Sequence, residues 1–302
     1  MMNKYQTWQW RGFDIGYQQY GETGVPVVFV HGFGANSGHW RHNISVLGEE
    51  YRCYAIDLIG FGQSSKPTPN QPISYTFETW ANQVADFCQE IIGEPVYLVG
   101  NSIGCIVTMQ MAVDYPDLVL AIASLNCSLR LLHERKRKTL PWYRDVGAGI
   151  MQNVLTNPTI GNFFYRQIAK PKVIKNLLSQ AYQRKEAITD ELVELIYQPS
   201  QDTGASAVFL AFTAYSQGPL AEDLLPILPC SLTFFWGTED PWEPIDLGKE
   251  LASFDTVVDF IELEGLGHCP QDEAPEVVNP LLEKWLEKSI IASDEQKVIS
   301  DR

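Results

Sequence analysis

The chain has 302 residues, 45% of them hydrophobic and 20% charged, and its 37 acidic against 22 basic side chains give a formal charge of -15. This is an ordinary globular composition, enough for one large core or two modest ones without disulfide staples. Its acidity excludes a general nucleic-acid binder, which must neutralise phosphate with a basic surface. No stretch reaches the roughly 20 uninterrupted apolar residues of a membrane-spanning helix.

The N-terminal stretch MMNKYQTWQWRGFDIGYQQYG lacks the apolar run of a signal peptide and the Arg/Ser-rich bias of a transit peptide, so it reads as mature protein. Its alternating aromatic residues predict an antiparallel ribbon at a sheet edge. Six runs then read as buried parallel strands: VPVVFVH (25–31), YRCYAID (51–57), VYLVG (96–100), LAIASLN (120–126), SLTFFWG (231–237) and VVDFIELE (257–264). Between them, TFETWANQVADFCQEIIG has helical spacing and stops at Gly93, and IVTMQMAVDYP stops at Pro116. Strand, helix, strand in repetition predicts an α/β fold, a mostly parallel twisted sheet with helices on both faces.

About a hundred residues interrupt that rhythm with helical patterns only. They predict an inserted helical lid over 129–229, within a core formed by 1–128 and 230–290. The segment after Lys288 reads as a tail, with 291–302 outside the core. The six cysteines (Cys53, Cys88, Cys105, Cys127, Cys230, Cys269) fall mostly in apolar runs with no C-x-x-C spacing, which predicts free buried thiols and a reducing, cytoplasmic compartment.

LVGNSIGCIV (98–107) sets Gly-x-Ser-x-Gly between a strand and a helix, a spacing that lifts the Ser102 hydroxyl above the sheet on a sharp turn. A serine hydroxyl is a weak nucleophile, so the reading requires a base and a group to orient it, in chain order Ser, acid, His. Glu239 and Asp240 follow one strand end. Asp240 is preferred as the orienter because it stands further out and leads into Pro241; His268, on the loop before the last helix, is the candidate base. His31, His39, His42 and His133 fit packing or surface roles. His31 opens HGFG, however, a glycine-rich turn whose Phe33 amide, with that of Ile103, can form an oxyanion hole. DLIGFGQSS lacks the third glycine of a dinucleotide fingerprint, and Cys269 beside His268 lacks further ligands, so neither cofactor nor metal is expected. Across residues 130–144, Arg130, Arg135, Lys136, Arg137, Lys138 and Arg144 stand among leucines and aromatics against Glu134. This amphipathic pattern fits either a solvated lid helix or peripheral contact with an anionic membrane through Arg135, Lys136, Arg137 and Lys138.

With Ser102, Asp240, His268 and HGFG in place, the chain resembles the α/β-hydrolase superfamily over nearly all its length. HGFGANSGHWRHN, DLIGFGQSSKP, LVGNSIG, NCSLRLLHERKR, GPLAEDLLP, WGTEDPWEP and GHCPQDEAPEVVNP carry a finer resemblance to the plant and cyanobacterial branch that includes pheophytinase and chlorophyll dephytylase. That resemblance implies a cofactor-independent serine hydrolase, peripheral to thylakoid membranes, that removes the phytol tail from chlorophyll or pheophytin. It puts the triad on Ser102, Asp240 and His268 and the oxyanion donors on Phe33 and Ile103. Two alternatives stay open: a carbon-carbon bond hydrolase of ring-cleavage products, similar in its GNS elbow, and a ligand receptor on a hydrolase scaffold. Epoxide hydrolases and haloalkane dehalogenases look similar but use aspartate where this chain has Ser102.

Overall fold

In strand β3 (Pro26–Val30) the side chains of Val28 and Val30 pack into one apolar cluster and those of Val27 and Phe29 into another, so a single strand feeds two cores. A strand buried on both faces has no polar side, which is why it reads as a continuous apolar run. The computed structural model describes residues 4–137 and 158–300. The eight strands are β1 (Lys4–Trp10), β2 (Phe13–Tyr20), β3, β4 (Arg52–Ile56), β5 (Val96–Asn101), β6 (Val119–Leu125), β7 (Ser231–Gly237) and β8 (Val257–Leu263). They form one sheet in the order β1-β2-β4-β3-β5-β6-β7-β8. β1 and β2 pair antiparallel as the predicted edge ribbon, β2 meets β4 antiparallel, and the remaining pairs are parallel. β8 departs from expectation: as the other edge strand it is half-exposed rather than buried.

Helices cover both faces. α1 (Arg41–Leu47) brings Ile44 and Leu47 to the Val27/Phe29 face. On the other face lie α2 (Phe77–Phe87), capped at Thr76, whose hydroxyl accepts from the Thr79 amide at 3.3 Å, and α3 (Ile103–Asp114). Past α2 the chain makes a π-type turn over Cys88–Ile92 and stops at Gly93, whose φ of 79° is the left-handed conformation glycine takes without cost.

Between β6 and β7 the described residues are helical without strands. They include a short turn of helix at Glu134–Arg137, α4 (Pro158–Ile168), α5 (Pro171–Ala181), α6 (Asp190–Ser200) and α7 (Ala205–Ala214). A third apolar cluster, with Ile174, Leu178 and Tyr182 of the α5 region against Leu192 and Val193 of α6, holds part of this insertion together and reaches Cys269 of the core.

After β7 come α8 (Ile245–Glu250) and α9 (Pro275–Ser300). α9 does not end at Lys288. It runs on to Ser300, with Ile290 packed against the core and the Ser293 hydroxyl accepting from Tyr97. All six cysteines are free, and all but Cys230 are buried. Among the described residues no helix is long and apolar enough to cross a membrane.

Candidate active site

The carboxyl ends of parallel strands face one side of such a sheet, where loops converge and ligands bind. Ser102 follows β5 directly, with φ 56° and ψ -120°, a conformation costing a non-glycine residue roughly 1–3 kcal/mol that the surrounding structure must hold. Its neighbours explain how. A Cβ on Gly100 would lie 2.7 Å from the Gly104 carbonyl carbon, and one on Gly104 would collide with the Val30 carbonyl, so only glycines let α3 close onto the strands. The Ser102 amide donates to Leu125 O at 3.1 Å, and its carbonyl accepts from Cys105 and Ser128.

His268 lies on the loop after β8, and its Nδ1 donates to Asp240 Oδ2 at 2.8 Å with both side chains buried. That bond fixes the proton on Nδ1 and leaves Nε2 as an acceptor. Asp240 Oδ2 also accepts from Asn126 Nδ2 at 2.7 Å, and Oδ1 accepts from the amides of Trp242 and Glu243. Burial pushes the Asp240 carboxyl up, but these donors and His268 outweigh it and hold it below its usual range. The imidazole is held in turn: the His268 amide donates to Ala181 O at 2.8 Å, Asn101 Nδ2 donates to its carbonyl, and the Trp242 ring lies 4.9 Å away. Glu239 is exposed and its amide bonds Leu266 O, so of the two acids it is Asp240 that reaches His268.

His31 anchors the glycine-rich turn. Its Nδ1 donates to Gly32 O at 2.8 Å and its Nε2 accepts from the Leu58 amide at 3.1 Å, while burial pushes its pKa down to about 4. A neutral, doubly bonded histidine is a structural clamp. Gly32 packs so closely on the elbow that a Cβ there would sit 3.1 Å from Ser102 Cβ. Phe33 follows Gly32 directly and lines the same cavity as Ser102, and Ile103, as first residue of α3, has an amide with no acceptor inside the helix. His39 bonds the Tyr182 hydroxyl, His133 bonds Gly218 O, and His42 is exposed, so none of them competes with His268.

Ser102, Ile103, Phe33 and His268 all line one cavity of about 610 Å³ between the sheet ends and the insertion. Its walls are largely apolar, with Phe61, Ile168, Leu178, Phe209 and Phe212 prominent. Lys66 is in the wall, but its ammonium donates to Asp202, Gly62 O and Ser64 O. A carboxylate, Glu243, is in the wall as well, and burial pushes it up to about 7 against the lowering effect of His268, the Leu129 amide and the Ser128 hydroxyl.

Asn101, Asn126, Trp242 and Glu243 were not singled out from sequence. Asn101 closes β5 and Asn126 directly follows β6, so the strand-end position that drew attention to Ser102 could have found them. Of the basic cluster, Arg135 ion-pairs with Asp223 and Lys136 with Glu222. The side chain of Arg137, with Lys138, Arg144 and their aromatic neighbours, lies outside the described residues.

Residues 27–281 match the alpha/beta hydrolase family. The chain belongs to that family. It is 27% identical to the chloroplastic pheophytinase of Arabidopsis thaliana over 295 residues, a match that takes in 86% of this chain but only 60% of that protein's length. It is 26% identical to (E)-2-((N-methylformamido)methylene)succinate hydrolase of Acinetobacter baylyi, covering 90% of this chain and 93% of that one. The solved structure of a meta-cleavage product hydrolase from Pseudomonas fluorescens superposes with a TM-score of 0.71 at 20% identity, covering 94% of this chain and 98% of that one, a likeness of fold alone.

Proposed function

We propose that this α/β hydrolase is a serine esterase that cleaves a carboxylic ester of a bulky hydrophobic molecule, and that the phytyl ester of chlorophyll or pheophytin is its substrate. Ser102 Oγ attacks the ester carbonyl while His268 Nε2 takes the serine proton, and Asp240 holds the imidazolium that forms. The Phe33 and Ile103 amides receive the oxyanion, each worth about 3 kcal/mol of transition-state stabilisation. His268 returns its proton to the leaving alcohol; water, deprotonated by the same imidazole, then releases the acid and restores Ser102. The observation that carries this reading is His268, bonded to Asp240, lining one largely apolar cavity with the strained Ser102. Relatedness to pheophytinase supports the pigment ester. A carbon-carbon hydrolase of small acidic substrates needs a cation free to meet a carboxylate; the cavity offers Lys66, already bonded to Asp202, and the carboxylate of Glu243. Hydrolysis of p-nitrophenyl esters of increasing chain length tests the reading: turnover is expected to improve with acyl length and to vanish in Ser102→Ala, and turnover that survives the substitution overturns it.

The insertion is proposed as a lid that also meets an anionic membrane surface. Residues 129–185 carry twelve Lys and Arg against Glu134 and Asp145, in a chain of charge -15. Phe163, Phe164 and Leu177 are exposed in the same segment, and Leu177 also lines the cavity. Apolar side chains ringed by cations suit an interface with anionic lipid. With Arg135, Lys136 and Lys175 already paired, the proposed contact centres on the exposed Phe163 and Phe164 of α4 and on Leu177 of α5. Salt-sensitive pelleting with anionic liposomes, lost in Phe163→Ser/Phe164→Ser, is the expected result; equal pelleting of the variant contradicts it.

A further inference from the structure

Between the turn that carries Ser102 and the loop that carries Asp240, a short series of hydrogen bonds runs through one side chain the proposed reaction does not use. The Ser128 amide donates to Ser102 O at 3.2 Å, and the Ser128 hydroxyl donates to Glu243 Oε1 at 3.0 Å. Glu243 Oε2 accepts from the Leu129 amide at 2.9 Å, and the Glu243 amide donates to Asp240 Oδ1 at 3.1 Å. Its carbonyl accepts from Trp236 Nε1 at 2.9 Å, which fixes the residue against β7. Ser128 and Leu129 stand where the chain leaves β6 for the insertion, so Glu243 joins the nucleophile turn, the start of the insertion and the acid loop.

We infer that Glu243 is a positioning residue: it clamps the start of the helical insertion to the Asp240 loop and sets a second carboxylate beside the imidazolium that His268 becomes during turnover. This rests on the serine-esterase reading above.

The charge environment supports the second half of the inference. Among the described residues, Glu243 has no Lys or Arg ion partner: Lys66 is bonded to Asp202, and the Arg130 guanidinium donates to Pro219 O and Gln217 O. A buried carboxylate without a cation is costly, and two neutral donors compensate it only in part. Among the described residues, the charged or titratable groups around His268 are Asp240, bonded to it, Glu243, which lines the same cavity, His39, whose pKa burial lowers, the buried Cys269 thiol beside it, and Glu273, which accepts from the Gly267 amide. The imidazolium formed when His268 takes the serine proton is therefore the cation that Glu243 meets across the cavity that both side chains line. Stabilising a charge that develops in the reaction, and not in the resting site, lowers the barrier.

Glu243→Gln separates clamp from charge, since the amide can still accept from Leu129 N and approach the Ser128 hydroxyl. With short p-nitrophenyl esters, kcat is expected to fall about tenfold with KM within about twofold of wild type. The wild-type rate profile should show an inflection near pH 7 as Glu243 loses its charge, absent from Glu243→Gln. Ser128→Ala keeps the charge but removes one donor to it, so its inflection should move to higher pH; this variant carries the test if Glu243→Gln does not fold. Wild-type kcat and profile in Glu243→Gln, beside an inactive Ser102→Ala, overturn the role of Glu243 and leave the esterase standing. If Ser102→Ala stays active, the esterase reading fails instead. The coupling is then read without turnover, from NMR of the His268 ring: an inflection near pH 7 in wild type that Glu243→Gln abolishes supports it, and its absence from wild type overturns it.

Discussion

Two helices of similar apolar composition meet different fates. α3, IGCIVTMQMAVD, is buried without interruption from Ile103 to Ala112, whereas in α7, ASAVFLAFTA, only Ala205 and Val208 are buried. A helix apolar on all sides is expected to be enclosed by protein. α3 obeys, packed between α2 and the strands, while α7 turns Phe209 and Phe212 to the cavity wall, where they meet Phe33 at 5.3 and 4.9 Å. α3 supplies stability and the elbow; the apolar surface of α7 is left for a ligand to cover.

Substitutions can break that contrast. The largest effect is expected at the head of α3, where Ser102→Ala should lower kcat by at least about 10⁴-fold without lowering Tm, as judged by thermal melts beside ester kinetics. Asp240→Asn should cost a comparable factor of about 10⁴ by favouring the wrong imidazole tautomer. Further along α3, Met109→Ala opens a cavity in closed packing and should cost about 2–5 kcal/mol in denaturant unfolding with substrate preference unchanged. Phe212→Ala in α7 should show the opposite balance, a smaller loss of stability and a selective rise in KM for long-chain esters. If Phe212→Ala leaves chain-length preference intact, the division between the two helices is wrong.

A smaller effect sharpens the same point from the acid loop. Burial raises Glu243 to about 7, so the folded protein binds that proton more tightly than the unfolded chain does. Its contribution to stability is therefore fully present below the unfolded carboxyl value and declines as pH rises through 7. Glu243→Gln is expected to raise Tm relative to wild type at about pH 8 but not at about pH 4, and equal differences at both contradict the assignment.

Much of this architecture can be read along the chain. Buried parallel strands announce themselves because both faces are apolar, and the residues following β3, β5, β7 and β8 include Phe33, Ser102, Asp240 and His268, which the sheet gathers at one end. β8 was misjudged because an edge strand can carry the same apolar letters as a central one while leaving a face to solvent. Glu243 could not be found by pattern, since within WEP it looks like a turn carboxylate until Ser128 and Leu129, more than a hundred residues earlier, come to lie against it. The half-exposure of α7 was equally hidden, because periodicity distinguishes apolar from polar faces but does not tell a wall of protein from a wall of cavity.

The measurement closest to the central claim is the fate of pheophytin a incubated in mild detergent with the protein and, in parallel, with Ser102→Ala. Release of phytol and of the dephytylated pigment by the wild-type protein, with none from the variant, is the predicted result. Intact pheophytin a and, in parallel incubations, intact chlorophyll a beside brisk cleavage of short p-nitrophenyl esters would contradict the pigment assignment, and phytol release that persists in Ser102→Ala would contradict the serine mechanism itself.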